Sequence, residues 1–226
     1  MTFMTNSFEE GRMILVNKPL RWTSADVVKK IRNQVHAKVG HAGTLDPLAT
    51  GLLILCTGKF TKKINEYMLK EKEYTGTFTL GATTPSYDLE TERENPKEYS
   101  HITSTDLEIV SRRFTGEIIQ IPPIYSAIKK DGQRSYDLAR QGKPVVLEGR
   151  KVTIHAFEMQ IQQLPIVTFR VVCSTGTYIR SLAQDVGQAL GCGAYLSSLC
   201  RTRIGEYRLE DAIDPEKGEI KIKTDS

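Results

Sequence analysis

The densest chemical signal in the chain is GHAGTLDPLATG, residues 40–51. Asp46 stands before Pro47, so the helical region is closed to it and its backbone is held extended. Pro47 itself fits the first turn of a helix, which leaves one plain structural reading, Asp46 as a helix cap. The chemical reading is a rigid loop, lined by Gly40, Gly43 and Gly51, that presents a single carboxylate to a ligand approaching close to the backbone. A carboxylate that acts as a nucleophile must be ionised and aimed, and a nearby cation does both. CSTGTYIRSL, residues 173–182, supplies a candidate cation in Arg180, which sequence alone leaves either turned inward or on the surface. Tyr74 heads an alternating segment and suits either a stacking platform or a core position. His41 suits either a ligand contact or the stability of its own loop.

Other chemistries lack their signatures. The chain has no G-x-S-x-G elbow and no G-x-x-x-x-G-K-[ST] or G-x-G-x-x-G phosphate loop, so no nucleotide cofactor is implied. Its four cysteines, Cys56, Cys173, Cys192 and Cys200, form no C-x-x-C pair, and neither a metal site nor a disulfide framework is expected. The net charge of +4 is only mildly basic. The cations cluster, however, at Lys59/Lys62/Lys63, Lys70/Lys72, Arg112/Arg113, Lys129/Lys130 and Arg201/Arg203, which makes a phosphate-binding face an expectation beside the plainer one of solvated surface. No apolar run is long enough to span a bilayer, and MTFMTNSFEEGR lacks the pattern of a secretory signal, so a cytoplasmic protein without membrane attachment is expected.

Several elements must position these residues. ILVNKP reads as a short strand, followed by a helix capped at Ser24 and carrying Val27, Val28 and Ile31. LLILCTG reads as a buried strand, and Phe60, Ile64, Tyr67 and Met68 form one helix face. YTGTFTLG alternates as a half-exposed strand. TTPSYDLETERENPKEYSH reads as a mobile loop, and a helix from about Thr105 carries Leu107, Val110 and Phe114. IPPIYSAIKKDGQRSY predicts a strand and a hairpin turn at Asp131-Gly132, with YDLARQGK as a short helix capped by Gly142. KVTIHAF and VTFRVVCS are further strands, and TYIRSLAQDVGQALG is the clearest helix, stopped by Gly191. RIGEYRLEDA predicts a last strand before a charged tail expected to be disordered. The interleaving of hairpins and helices gives an α+β class: a mixed, mainly antiparallel sheet flanked by helices and loops.

The string GHAGTLDPLATGLLILCTGKFTK closely resembles the signature of the TruB family, the tRNA pseudouridine synthases for uridine 55 in the T loop. YTGTFTLGATTPSYD, IPPIYSAIKKDGQRSYDLARQG and CSTGTYIRSLAQDVGQALGCGAYLSSLCRTRIGEY resemble later parts of the same family in the same order, over about residues 12–212. The resemblance implies the pseudouridine synthase fold, a T-arm stem-loop of tRNA as the RNA partner, and no cofactor or metal. It implies Asp46 as the catalytic aspartate, Arg180 as the arginine that pairs with it, and Tyr74 as the tyrosine that stacks on the uracil and takes part in proton transfer. It assigns Tyr178 and Leu199 to the uracil pocket and His41 to the flipped-out RNA, with Asp88 as a weaker match to a polar position. The target uridine leaves its stack, the aspartate attacks C1′ or the base, and the uracil re-bonds through C5.

A monomer is expected, with residues 1–212 as the catalytic domain and 213–226 as a charged tail. The family's usual C-terminal RNA-binding (PUA) domain has no counterpart in the string DPEKGEIKIKTDS. The competing reading from another class is a tRNA-binding or tRNA-folding protein on the same fold. Retention of Asp46, Tyr74 and Arg180 together favours the enzyme, because a pure binder needs no nucleophile.

Overall fold

The computed structural model describes residues 7–125, 129–130, 133–134 and 147–217. In chain order the elements begin with α1 (Ser7–Glu10), β1 (Met13–Lys18), α2 (Ser24–Val35), β2 (Val39–His41), β3 (Ala49–Thr57), α3 (Ile64–Leu69) and β4 (Lys72–Leu80). They continue with α4 (Ser104–Arg113), β5 (Gly116–Gln120), β6 (Lys129–Lys130), β7 (Gln133–Arg134), β8 (Arg150–Gln163) and β9 (Ile166–Cys173). The last are α5 (Ile179–Ala189), β10 (Ala194–Ile204) and β11 (Tyr207–Arg208). The chain divides into two compact units, residues 1–74 with 199–226 and residues 75–198, so β4 and β10 each contribute residues to both.

In the first unit β3 explains the layering. Its run ATGLLILCT has no charge and is covered on both faces, as an uninterrupted apolar strand requires. Leu53 and Leu55 face Val27, Ile31 and Val35 of α2, while Leu52, Ile54 and Cys56 pack with Ile204, and with Ile64 and Tyr67 of α3. β1 and β2 flank β3 antiparallel, and β10 joins it in parallel register with Leu199 opposite Ala49. In the second unit β4, β9, β8 and β5 lie side by side, with β8 antiparallel to both neighbours. Phe78 stacks on Phe169 at 4.2 Å between ring centroids and meets Phe157 edge-on, locking β4 onto the hairpin. Leu80, Ile102, Leu107, Val167, Cys192 and Ala194 close that core. The sheet is mixed and mainly antiparallel, and the class is α+β.

Several sequence expectations are corrected. The α2 cap is Thr23, not Ser24: the Thr23 side chain accepts from Asp26 N, and the Asp26 carboxylate accepts from Thr23 N at 2.8 Å. No helix follows Asp46; the chain makes one turn, Ala49 N to Asp46 O, and enters β3. Pro47 occupies that turn, so the helix-cap reading of Asp46 fails. Residues 83–101 are a loop without helix or strand, as expected, but one that folds back on itself. Thr83 and Glu94 exchange backbone hydrogen bonds, and Thr84, Ser86 and Asp88 are buried, because their short polar side chains bond the segment's own backbone. The expected last strand is instead the end of the eleven-residue β10, Ala194–Ile204, and the two-residue β11 antiparallel to it, joined by a turn at Gly205-Glu206.

β6 and β7 pair Lys129 with Arg134 and Lys130 with Gln133 on either side of Asp131-Gly132. That dipeptide and the expected helix over YDLARQGK lie outside the described residues, as does the tail from residue 218. Among the described residues no helix is long and apolar enough to cross a membrane.

Candidate active site

The first unit positions His41, Asp46, Tyr74 and Leu199. The Asp46 loop is fastened at nearly every peptide. Ala42 N donates to Ile54 O at 2.9 Å, and Ser24 Oγ accepts from Leu45 N at 2.9 Å and donates to Leu45 O at 3.2 Å. Ser24 is therefore spent on the loop, which is why Thr23 caps the helix. Pro47 O accepts from Arg21 N at 2.8 Å and from Lys18 Nζ at 3.5 Å. Lys18 is fully buried and its ammonium also bonds the carbonyls of Pro19 and Trp22 at 2.9 and 2.6 Å. Burial pulls its pKa down to about 8, against the opposing pull of the Asp46 charge.

Arg201, 1% exposed, fixes the other side of the loop: Nε donates to Leu52 O at 2.7 Å and Nη2 to Gly43 O at 3.2 Å. Gly51, at φ +104°, lies so close to the Arg201 backbone that a Cβ there would collide with it. Asp46 itself stays half-buried, a carboxylate on a loop whose backbone is almost fully committed. Burial and the Arg201 charge lower the pKa of His41, which keeps the imidazole neutral at pH 7, and its Nδ1 is buried without a hydrogen-bond partner. Tyr74 is buried on β4, and Leu199 lies on β10 beside the start of β3.

The second unit positions Tyr178 and Arg180. Tyr178 is the N-cap residue of α5, and its N–H donates to Gln120 Oε1 at 2.7 Å, so β5 sets where the helix begins. Arg180, 5% exposed, points inward. Nη1 donates to Tyr125 O at 2.8 Å and to Ser86 O at 3.4 Å, and Nε stands 3.8 Å from Asp88 Oδ2. Asp88 is held in turn by Glu90 N on Oδ1 and by Thr84 Oγ1 on its carbonyl. The surface reading of Arg180 is excluded, and the residues 83–101 that sequence takes for a loop are the receptor for its guanidinium.

Sequence reasoning missed Lys18 and treated Arg201 as one of several surface cations. A lysine ending an apolar strand directly before a proline, and an arginine inside the alternation of β10, are the signals that mark them. Other members of the basic clusters are also engaged. Lys72 caps α3 through the Met68 and Lys70 carbonyls, while Lys59, Lys70, Arg112 and Arg203 pair with Glu10, Glu206, Glu108 and Glu71.

Residues 29–179 match the model of the TruB family pseudouridylate synthase N-terminal domain, and residues 180–217 match that of the tRNA pseudouridylate synthase B C-terminal domain. A curated tRNA pseudouridine synthase B from Flavobacterium johnsoniae is 54% identical over 213 residues, covering 91% of this chain and 93% of the relative. One from Phocaeicola vulgatus is 51% identical over 217 residues, covering 93% and 92%. Among solved structures, the chain is similar to one in a Cbf5-Nop10-Gar1 complex, with TM-score 0.69 and 30% identity over 92% of this chain. It is similar also to one in an H/ACA RNP bound to a substrate RNA containing 2′-deoxyuridine, with TM-score 0.68 and 28% identity over 92% of this chain. This chain spans about half the length of those two, 53% and 52%. The matches cover the Asp46 loop, the Arg180 helix and the strands between them: the chain belongs to the TruB family of pseudouridylate synthases.

Proposed function

We propose that this chain isomerises uridine 55 in the T loop of tRNA to pseudouridine, with Asp46 as the nucleophile. The observation that carries the reading is the Asp46 loop. Lys18, Ser24 and Arg201 commit its backbone while the carboxylate remains half-buried, the geometry a fixed nucleophile needs. The curated relatives' shared name, at about half identity and over nine-tenths of their length, supports the substrate class. Arg180 and Tyr74 are the further catalytic residues of this reading, and His41, Tyr178 and Leu199 the substrate contacts. Residues 1–212 form its catalytic domain, acting as a cytoplasmic monomer.

The reaction is an isomerisation and balances without an external reagent. The target nucleotide leaves its stack, and the carboxylate adds to C1′ or to the base. The N1–C1′ bond breaks and the uracil turns. The C5–C1′ bond then forms, the bond to the Asp46 carboxylate breaks and frees it, the C5 proton leaves to a base, and N1 gains a proton. Nothing is oxidised or reduced, so the chemistry calls on no redox cofactor.

The test is incubation with unmodified tRNA followed by mapping of pseudouridine, for the wild type and for Asp46→Asn. The amide keeps the shape but is a poor nucleophile. The expected result is one modified T-loop position with the wild type and no product with the variant, at similar tRNA affinity. Turnover of Asp46→Asn within tenfold of wild type would overturn the assignment.

A further inference from the structure

We infer that the outer face of α2 is a second RNA-binding surface, which holds the sugar-phosphate backbone of tRNA away from the target base. Val27, Ile31 and Val35 turn α2 into the core, leaving Lys29, Lys30, Arg32, Asn33 and His36 exposed along about two turns, roughly 10 Å of helix, with Lys38 just beyond. Two hollows share Asn33. One, of about 370 Å³, is lined by Trp22, Asp26, Lys29 and Lys30; the other, of about 760 Å³, is lined by Arg32, His36, Ala37, Lys38 and Glu9.

Among the described residues, the cations on this face have no salt bridge, unlike several members of the other basic clusters. Lys59, Lys70, Arg112, Arg170 and Arg203 stand against carboxylates, and Lys18, Lys72 and Arg201 are buried on carbonyls. Among the described residues, no carboxylate forms a salt bridge with Lys29, Lys30 or Arg32. Of the two acids that line these hollows, Asp26 is occupied by Thr23 in the capping box, with its pKa lowered by those bonds, and Glu9 forms no salt bridge with Lys29, Lys30 or Arg32. A row of exposed cations with amide and imidazole donors beside it matches phosphodiester oxygens, and Trp22 offers an aromatic surface at one end. RNA is the partner favoured because it is the substrate of the function proposed above, on which this inference rests.

The test compares wild type with K29Q/K30Q/R32Q, whose changes are all at exposed positions and whose fold is checked by thermal melting. Binding of unmodified tRNA is measured at several salt concentrations, together with the single-turnover rate at saturating RNA. The slope of log K against log salt is expected to shrink by about 2 to 3, at 0.7 to 0.9 per lost phosphate contact, and the low-salt affinity to fall by about tenfold or more. The saturated rate is expected to stay at the wild-type value, since none of the three is in the catalytic machinery. Trp22 is the chain's one tryptophan, so its fluorescence in the wild type should change on tRNA binding. An unchanged slope and affinity overturn the inference. So does loss of binding to anionic phosphatidylserine vesicles with tRNA binding unchanged, which would reassign the face to a lipid surface. Wild-type protein that binds tRNA with the full slope and makes no pseudouridine overturns the proposed function and leaves this inference standing.

Discussion

Two regions hold a proposed catalytic side chain by opposite means. The Asp46 loop in the first unit is held through its backbone: cations and a hydroxyl bond the carbonyls and amides around Asp46 and leave its carboxylate half-buried. Arg180 in the second unit is held through its own head group, by Tyr125 O, Ser86 O and the Asp88 carboxylate. A backbone-held loop depends less on the side chain it presents, because its peptide groups carry partners of their own. A head-group-held arginine is part of its scaffold, and its surroundings fail when its partner goes. Substitutions at Asp46 should therefore cost activity and little stability, and substitutions around Arg180 should cost both.

The largest expected effect tests that contrast directly. Asp88→Ala removes the buried carboxylate 3.8 Å from the Arg180 guanidinium, a loss of up to about 3–5 kcal/mol. For a chain of this size that lowers the melting temperature by about 6–20 °C. The double substitution Asp88→Leu with Arg180→Met should recover much of the loss, because a buried pair replaced by apolar groups of similar volume is often close to neutral. It should remain without turnover. A single Asp88→Ala that melts like wild type would mean the pair is not what holds Arg180.

A smaller effect is expected at Lys18. Lys18→Met removes the donor to the Pro19, Trp22 and Pro47 carbonyls, a loss of about 1–3 kcal/mol from unsatisfied buried acceptors. Removal of the buried charge offsets part of it, since burial already disfavours the ammonium. The single-turnover rate should fall by more than the melting temperature suggests, with tRNA affinity nearly unchanged, because the loop that aims Asp46 loosens while the RNA contacts remain. Equal, small effects on rate and stability would make Lys18 a strand-end packing residue only.

The sequence disclosed these regions unequally. β3 was legible because a run without charges has no alternative to burial, and α5 because Ile179, Leu182 and Val186 repeat at helical spacing up to Gly191. The Asp46 loop was legible as a loop from its glycines and Pro47. What fastens it was not, since Lys18, Ser24 and Arg201 come from three distant segments and each looks ordinary in its own. Residues 83–101 were legible only in part. Prolines and carboxylates mark them as a loop, which they are, but do not disclose that hydrogen bonds from Thr84 and Ser86 to the Asp88 carbonyl turn the polar residues inward. The direction of a short polar side chain depends on partners that local patterns do not contain.

The smallest expected effect separates the two units by pH. On α5, burial raises the pKa of Asp185 from 3.8 to about 6, and the Asp185 charge adds to burial in raising Tyr87. Below pH 4 the group is protonated in both folded and unfolded chains and contributes nothing. Between pH 4 and 6 the unfolded chain ionises first and the folded state loses stability; above 6 the whole penalty is present. Lys18 in the first unit works in a different window and with the opposite slope. Its folded pKa of about 8 lies below that of an ordinary lysine, so the unfolded chain holds more protons between pH 8 and about 10.5, and stability rises with pH there. Asp185→Asn removes only the acid window. The melting temperature of Asp185→Asn relative to wild type should therefore increase from pH 4 to pH 7 by a few degrees at most, because the partly solvated carboxyl recovers some of its hydration. It should then run parallel to wild type from pH 8 to 10. A constant offset across the whole range would show that Asp185 ionises normally in the folded chain.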